Sequence, residues 1–218
     1  MKILAFEFST SQRSVAALNL ESASGLRSGE VVESLDASCG PLAMAETALH
    51  EAGLEREQIE CVAIGLGPGS YTGIRSAIAL AQGWHLAKKV RLVGVSSVDC
   101  IVAEAADQGL EGRVAVVIDA QRNDFYLANY ELGAGRAKEL QPLRLASPGE
   151  AQACATAGDL IIGPEVTRWF PAGRIVLPRA IRLAHLAAGR EDSTAPADLE
   201  PIYLRITTFV KAPPPRVF

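Results

Sequence analysis

One plan occurs twice along this chain. Residues 2–8, KILAFEF, form an apolar run, the polar turn STSQR follows, and SVAALNL (14–20) and GEVVESL (29–35) complete three strand-like segments. Residues 113–132, RVAVVIDAQRNDFYLANYEL, and 138–146, KELQPLRLA, repeat that series, with a polar turn that begins at an acidic residue. Apolar residues alternating at period 2 mark strands, and those recurring near every 3.6 residues mark helices. By those periods the first copy continues with a helix over 41–53, the strand CVAIGL, a long helix over 72–88, the strand RLVGV and a helix over 97–108. Pro41 in the first turn and Gly53 past the end punctuate the first of these helices. The second copy is thinner: a helix over 148–157, the short strand DLIIG, a loop-like GPEVTRWFPAGR and a helix over 178–188. The repetition lines up Glu7 with Asp119.

Three meandering strands followed by alternating helix and strand build a mixed sheet with helices on its faces. Two such α/β units in tandem resemble the ribonuclease H-like duplication of the actin-like (ASKHA) superfamily of actin, sugar kinases and heat-shock ATPases. The expected lobes are βββαβα units over 1–110, with partner-binding helices, and over 111–218, in reduced form. Beyond Gly189 the chain turns polar and Pro-rich; PIYLR (201–205) reads as ordered, and the APPPRVF end is expected to fray.

Composition narrows the function classes. The 218 residues are 49% hydrophobic and 21% charged with a net charge of -4, so no basic footprint equips the chain to hold nucleic acid alone. Contact with tRNA would be indirect. The N-terminus MKILAFEFSTSQRSV lacks a long apolar core and a cleavage site, and no window reaches membrane-span length, which leads to the expectation of a cytoplasmic protein with no membrane partner. Cys39, Cys61, Cys100 and Cys154 are scattered without a C-x-x-C pair and read as buried small hydrophobes. His50, His85 and His185 show no helical ligand spacing, so no metal site is expected.

The segment GLGPGSYTGIR lies between strand and helix, where a phosphate loop would sit. A Walker A loop needs Gly-Lys followed by a hydroxyl residue, and none is here. Gly67, Gly69 and Gly73 match a dinucleotide fingerprint loosely, and Lys88, Lys89 and Arg91 occupy the region where its ribose-binding acid belongs. Two readings stay open. The glycines and Pro68 make a tight turn, or the helix N-terminus, with Ser70 or Thr72 as cap and Arg75 nearby, holds an anion. The following helix is apolar nearly all round, as is PLAMAETALHEAG before it, beyond the roughly 100° stripe a single sheet face requires. Either these helices cover each other or a second protein covers them.

The stretches ILAFEFSTSQRSVA, AIGLGPGSYTGIRSAIALAQG, GVSS, VVIDAQRNDFYLANY and PIYLR together resemble the TsaB (YeaZ) family, in order, from about Ile3 to Arg205. The resemblance implies a non-catalytic subunit for the synthesis of tRNA N6-threonylcarbamoyladenosine (t6A). It would pair with TsaD, the Kae1-like subunit, engage the ATPase TsaE through that pair, and form a homodimer when alone. The H-x-x-x-H metal pair of TsaD is missing, since only His50 stands in that helix region. The phosphate hairpin D-x-G-[ST] of actin-like ATPases is here Glu7-Phe8-Ser9-Thr10, without the glycine that lets amides approach phosphate. No nucleotide is expected to bind tightly; ATP or ADP would be held only at the complex interface. The old glycoprotease (M22) label finds no catalytic set in these residues.

The expected partner face is Leu42, Met44, Ala45 and Leu49 with Ile74, Ala77, Ile78, Ala81 and His85. Candidates for a vestigial nucleotide site or a second interface are Glu7, Ser9, Thr10, Gly67, Gly69, Ser70, Thr72, Gly73, Arg75, Asp119 and Arg122, while Tyr126 and Tyr203 read as packing residues. The rival reading is a stand-alone small-molecule kinase or ATPase that uses Glu7, Asp119 and the glycine loop.

Overall fold

A computed structural model describes residues 1–21, 25–34, 39–133 and 136–205. The APPPRVF segment lies outside them. The first unit comprises β1 (Lys2–Glu7), β2 (Gln12–Asn19), β3 (Arg27–Ser34), α1 (Pro41–Ala52), β4 (Cys61–Gly65), α2 (Tyr71–Lys88), β5 (Arg91–Val95) and α3 (Ser97–Asp107). The second comprises β6 (Gly112–Asp119), β7 (Phe125–Gly133), β8 (Arg136–Ala146), α4 (Pro148–Thr156), β9 (Leu160–Gly163), β10 (Arg174–Ile175) and α5 (Ala180–Ala188). The two sheets run β3-β2-β1-β4-β5 and β8-β7-β6-β9-β10, one order used twice. The stretch expected to be loop holds a short 3-10 turn at Val166–Arg168 and ends on Arg174, the first residue of β10, which pairs parallel with β9.

Strand alternation decides which helix covers which face. Leu4 and Phe6 of β1 turn toward the core shared with α1 and α2, whereas Ile3 and Ala5 meet Leu183, Ala184 and Ala187 of α5. In β6, Val114 and Val116 face α3, while Ala115 and Val117 face the α4 side. The chain order of the helices is therefore not their spatial order. α3 follows the first sheet yet packs on the second, and α5 follows the second yet packs on the first. They touch, and Arg182 of α5 joins Glu104 (3.0 Å) and Asp107 of α3. The sheets divide near residue 110, but the helices interleave.

Two devices seat the C-terminal third on the first sheet. The N-terminus of α5 has no cap of its own; the hydroxyl of Ser14 accepts the Ala180 N–H (2.8 Å) and Glu30 accepts the Ile181 N–H (3.1 Å) while pairing with Arg179. Carboxylate and hydroxyl oxygens at a helix start satisfy its free amides and complement its dipole. The segment after α5 then passes the outer edge of β5, where Thr194 N–H donates to the Leu92 carbonyl (2.8 Å) and the Thr194 hydroxyl accepts the Gly94 N–H (3.1 Å); beyond it Leu199 is buried in the core and Ile202 N–H donates to the carbonyl of Leu66, just past β4 (2.8 Å). A covered edge cannot recruit foreign strands.

Glu30→Ala removes the borrowed cap of α5 and strands Arg179. Denaturant unfolding is expected to show a loss of about 1–2 kcal/mol, and an unchanged midpoint would contradict this role.

Candidate functional site

The outward face of α2 differs from the expected one. Ser70 caps the helix, its hydroxyl accepting the Gly73 N–H (3.3 Å). From there Ile74, Ala77, Ile78 and Ala81 turn inward and are buried on the sheet, as are Met44, Ala45 and Leu49 of α1. Those seven cannot meet a partner in the folded chain. His85 does not line the exposed groove either, its Nδ1 lying 2.8 Å from the Val90 carbonyl oxygen. Of the expected face, Leu42 alone is open, at 57% exposure.

What α2 does present is a second stripe, Ala79, Gly83 and Ala87 at i, i+4 and i+8, all exposed, with Leu80 and Trp84 half-buried beside it. With Pro41 and Leu42 they border a mainly apolar groove of about 840 Å³, flanked by Arg56, Glu57 and Lys88. Small side chains permit close backbone approach, and a Cβ at Gly83 would meet no atom within 4 Å.

The cleft between the two sheets gathers five of the eleven remaining candidates and leaves Glu7, Gly67, Thr72, Gly73, Arg75 and Arg122 out of its lining. Ser9, Thr10, Gly69, Ser70, Tyr71 and Asp119 border a cavity of about 510 Å³ with Tyr126, Glu165 and Tyr203. Glu7 does not open into it. Fully buried, it accepts the Ser9 N–H at Oε1 (2.8 Å) and the Ser97 hydroxyl at Oε2 (2.8 Å). The Ser97 hydroxyl in turn accepts the Gly67 N–H (3.1 Å), and the Gly67 carbonyl accepts the Ser97 N–H (2.8 Å). The chain's own carboxylate thus occupies a hairpin amide of the kind that would grip a phosphate.

The glycine loop serves close packing. A Cβ on Gly69 would stand 2.0 Å from the Ser9 carbonyl oxygen, and one on Gly73 would stand 2.0 Å from that of Phe8. Ser70 N–H donates to the Ser9 carbonyl (2.6 Å), so this amide too is spent internally. Thr10 closes the β1–β2 turn onto Gln12. Thr72 lies in the first turn of α2, exposed and outside the cleft lining. Asp119 accepts the Gln121 N–H (2.7 Å) and stabilises a tip in which Gln121, Arg122 and Asn123 all have φ near +60° (62°, 56° and 62°).

Sequence reasoning missed the group that shuts one side of the cleft. Tyr71 stacks on Tyr203 with ring centroids 5.7 Å apart, and the Arg75 guanidinium lies 3.9 Å from the centre of the Tyr71 ring. Arg205 reaches across to Asp124 (2.8 Å) and to the carbonyls of Ala120 and Gln121. Tyr203 is more exposed than a packing residue, whereas Tyr126 is buried as expected. Tyr71 stands inside the glycine segment and Ser97 inside GVSS, but no spacing rule links either to the residue it meets. Among the described residues no three His, Cys, Asp or Glu side chains gather as a metal site, and no helix is long and apolar enough to cross a membrane.

Burial raises the Glu7 pKa above its ordinary 4.5, and the bonds from Ser9 and Ser97 offset this in part. A folded state that holds the proton more tightly than the unfolded chain is favoured fully at low pH, and that stability is lost as pH rises through the raised value. Glu7→Gln lacks this titration, so its melting temperature relative to the natural chain is expected to climb as pH rises above the ordinary value of 4.5; parallel melting curves would contradict a buried titrating carboxyl.

Comparison with known proteins places this geometry. The family model described as TsaD: tRNA N6-adenosine threonylcarbamoyltransferase matches residues 42–192. The tRNA threonylcarbamoyladenosine biosynthesis protein TsaB of Escherichia coli is 34% identical over 90 residues, 41% of this chain and 39% of that protein's length. An uncharacterized protein of Mycobacterium tuberculosis is 33% identical over 162 residues, 72% of this chain and 70% of that one. The solved structure of YeaZ from Pseudomonas aeruginosa superposes with a TM-score of 0.77 at 26% identity, covering 93% of this chain and 99% of the other. The two-lobed actin-like, ribonuclease H-like architecture expected from the duplication is the one observed.

Proposed function

Because this chain belongs to the TsaB (YeaZ) family, we propose that it is a non-catalytic subunit in the biosynthesis of tRNA N6-threonylcarbamoyladenosine. In this reading it pairs with a TsaD-type subunit in the cytoplasm, engages a TsaE-type ATPase through that pair, and associates with its own copy when alone. The groove along the Ala79–Gly83–Ala87 stripe carries the proposal, because it is an apolar helix face that the chain leaves uncovered. Apolar surface of that kind gains free energy when a partner removes it from water, and stable interfaces commonly bury about 1,200–2,000 Å² in total. The chain would act by favouring the partner's active arrangement, a shift of populations without chemistry of its own.

Two further observations support a non-catalytic role over a stand-alone kinase or ATPase. The Ser9 and Ser70 amides already have partners within the chain, and Glu7 is sealed under Gly65 and Ser97. A nucleotide phosphate in the cleft would have to displace those bonds. ATP or ADP is expected only at the interface with the partner, and tRNA only through it, in keeping with a net charge of -4.

Substitutions separate the two faces of α2. Gly83→Arg and Ala79→Glu are expected to leave the fold intact and to weaken pairing with the cell's TsaD homologue at least ~100-fold, about 3 kcal/mol. Co-purification and a tRNA modification assay read the outcome. Ala77→Arg, at a fully buried position, is expected to unfold the chain. Undiminished pairing and modification by folded Gly83→Arg would refute the proposed interface. The rival enzyme reading is tested by calorimetry with Mg-ATP on the isolated chain, where little or no heat of binding is expected.

A further inference from the structure

The outer side of the second sheet carries a polar pocket distinct from both the groove and the cleft. Phe125 and Leu127 of β7 are buried among apolar side chains on the α4 side; two residues on, that face carries Asn129, only 4% exposed. β8 slips in register on both sides of it. Leu127 pairs with Arg144, Asn129 with Gln141 and Tyr130 with Glu139, so β8 spends one extra residue in each step. Such bulges bend a strand and re-aim its neighbours, and Pro142 within this one has no N–H to give the ladder. Between the bulged strand and α4 lies a groove of about 670 Å³ lined by Asn129, Cys154 and Asp159, with Leu140 and Ala153 among its apolar residues.

Its hydrogen bonding is incomplete in one direction. Asn129 Nδ2 donates to Asp159 Oδ2 (3.3 Å) and approaches Cys154 Sγ (3.5 Å). Asn129 Oδ1 and Asp159 Oδ1 are buried without a hydrogen-bond donor. Arg113 Nε stands 3.1 Å from Asp159 Oδ1, close enough for an ion pair but out of line for a hydrogen bond, and its side chain is 59% exposed. Arg144 is engaged by Glu150 at 2.7 Å. Buried acceptors whose lone pairs receive no hydrogen bond are unfavourable and call for a donor. Asp159, Glu131 and Glu150 against Arg113 and Arg144 leave the lining one negative charge in excess.

We propose that this pocket binds a primary alkylammonium group, whose N–H bonds would fill Asn129 Oδ1 and Asp159 Oδ1 while its aliphatic stem lies along Leu140 and Ala153. An ammonium offers three donors and a positive charge, meeting both the bonding deficit and the charge excess. Arg113, half in solvent, gives way to the better-aligned donor. The assignment is independent of the partner groove.

The test is a titration of the full-length chain with n-butylammonium, followed by amide NMR, with 1-butanol as the uncharged control. Saturable shifts at the Asn129 side-chain amide and at Cys154 and Asp159 are expected with the amine alone. At least a tenfold weakening is expected in Asn129→Leu. Should that variant not fold, Ala153→Leu, which narrows the groove without touching the polar pair, is expected to weaken binding likewise. A third titration with lysine blocked at both backbone ends separates the sources: tighter binding than butylammonium assigns the ammonium to a protein side chain, weaker binding to a free amine. Absence of saturable shifts, equal shifts with butanol, or unaltered affinity in the folded variants would overturn the proposal.

Discussion

A single buried carboxyl organises the junction from which the rest of the molecule is hung. Glu7 ends β1, takes the Ser9 amide of the first hairpin, and receives the hydroxyl of Ser97 at the start of α3. Ser97 is bonded both ways to Gly67, so hairpin, glycine loop and α3 are fixed by one small network. Networks buried in low dielectric are favourable when complete and costly when one member is removed. Since α3 leaves this junction to pack on the second sheet, and α5 returns to the first, the network also helps set how the lobes meet. The cleft borders this arrangement, and the Ser9 and Ser70 amides at its rim are spent on Glu7 and on the Ser9 carbonyl.

Much of the fold was legible because strand alternation is a direct physical record of two-sided burial. The β1 residues Leu4 and Phe6 on one side, Ile3 and Ala5 on the other, announce a strand between two helical layers. The duplication was legible for the same reason, in the shared order of both sheets. The interleaving of α3 and α5 was not, since periodicity states that a helix has an apolar face and not which sheet receives it. Glu30 and Ser14, which cap α5 from 151 and 166 residues away in sequence, leave no local trace.

The partner face failed at finer grain. Helix α2 carries small apolar residues on both sides, Ala77 and Ala81 inward, Ala79 and Gly83 outward, and hydrophobicity alone cannot rank the two. Only the sheet position breaks the tie. The principle behind the expectation survives, because a surplus apolar face does exist; it lies about a third of a turn or more from the residues first assigned to it. At the cleft, Tyr71, Arg75 and Tyr203 form a stacked set brought together across 132 residues of chain, a convergence no spacing rule encodes.

The proposed partner face is the outward stripe of α2, whereas the Ser9 and Ser70 amides beside the cleft are already bonded within the chain. Hydrogen exchange on the full-length chain, with and without a TsaD-type subunit, tests it most directly. Partner binding is expected to slow exchange across residues 76–88 and to leave residues 8–12 and 118–124 as they were. Protection confined to the cleft segments, with α2 unchanged, would contradict it.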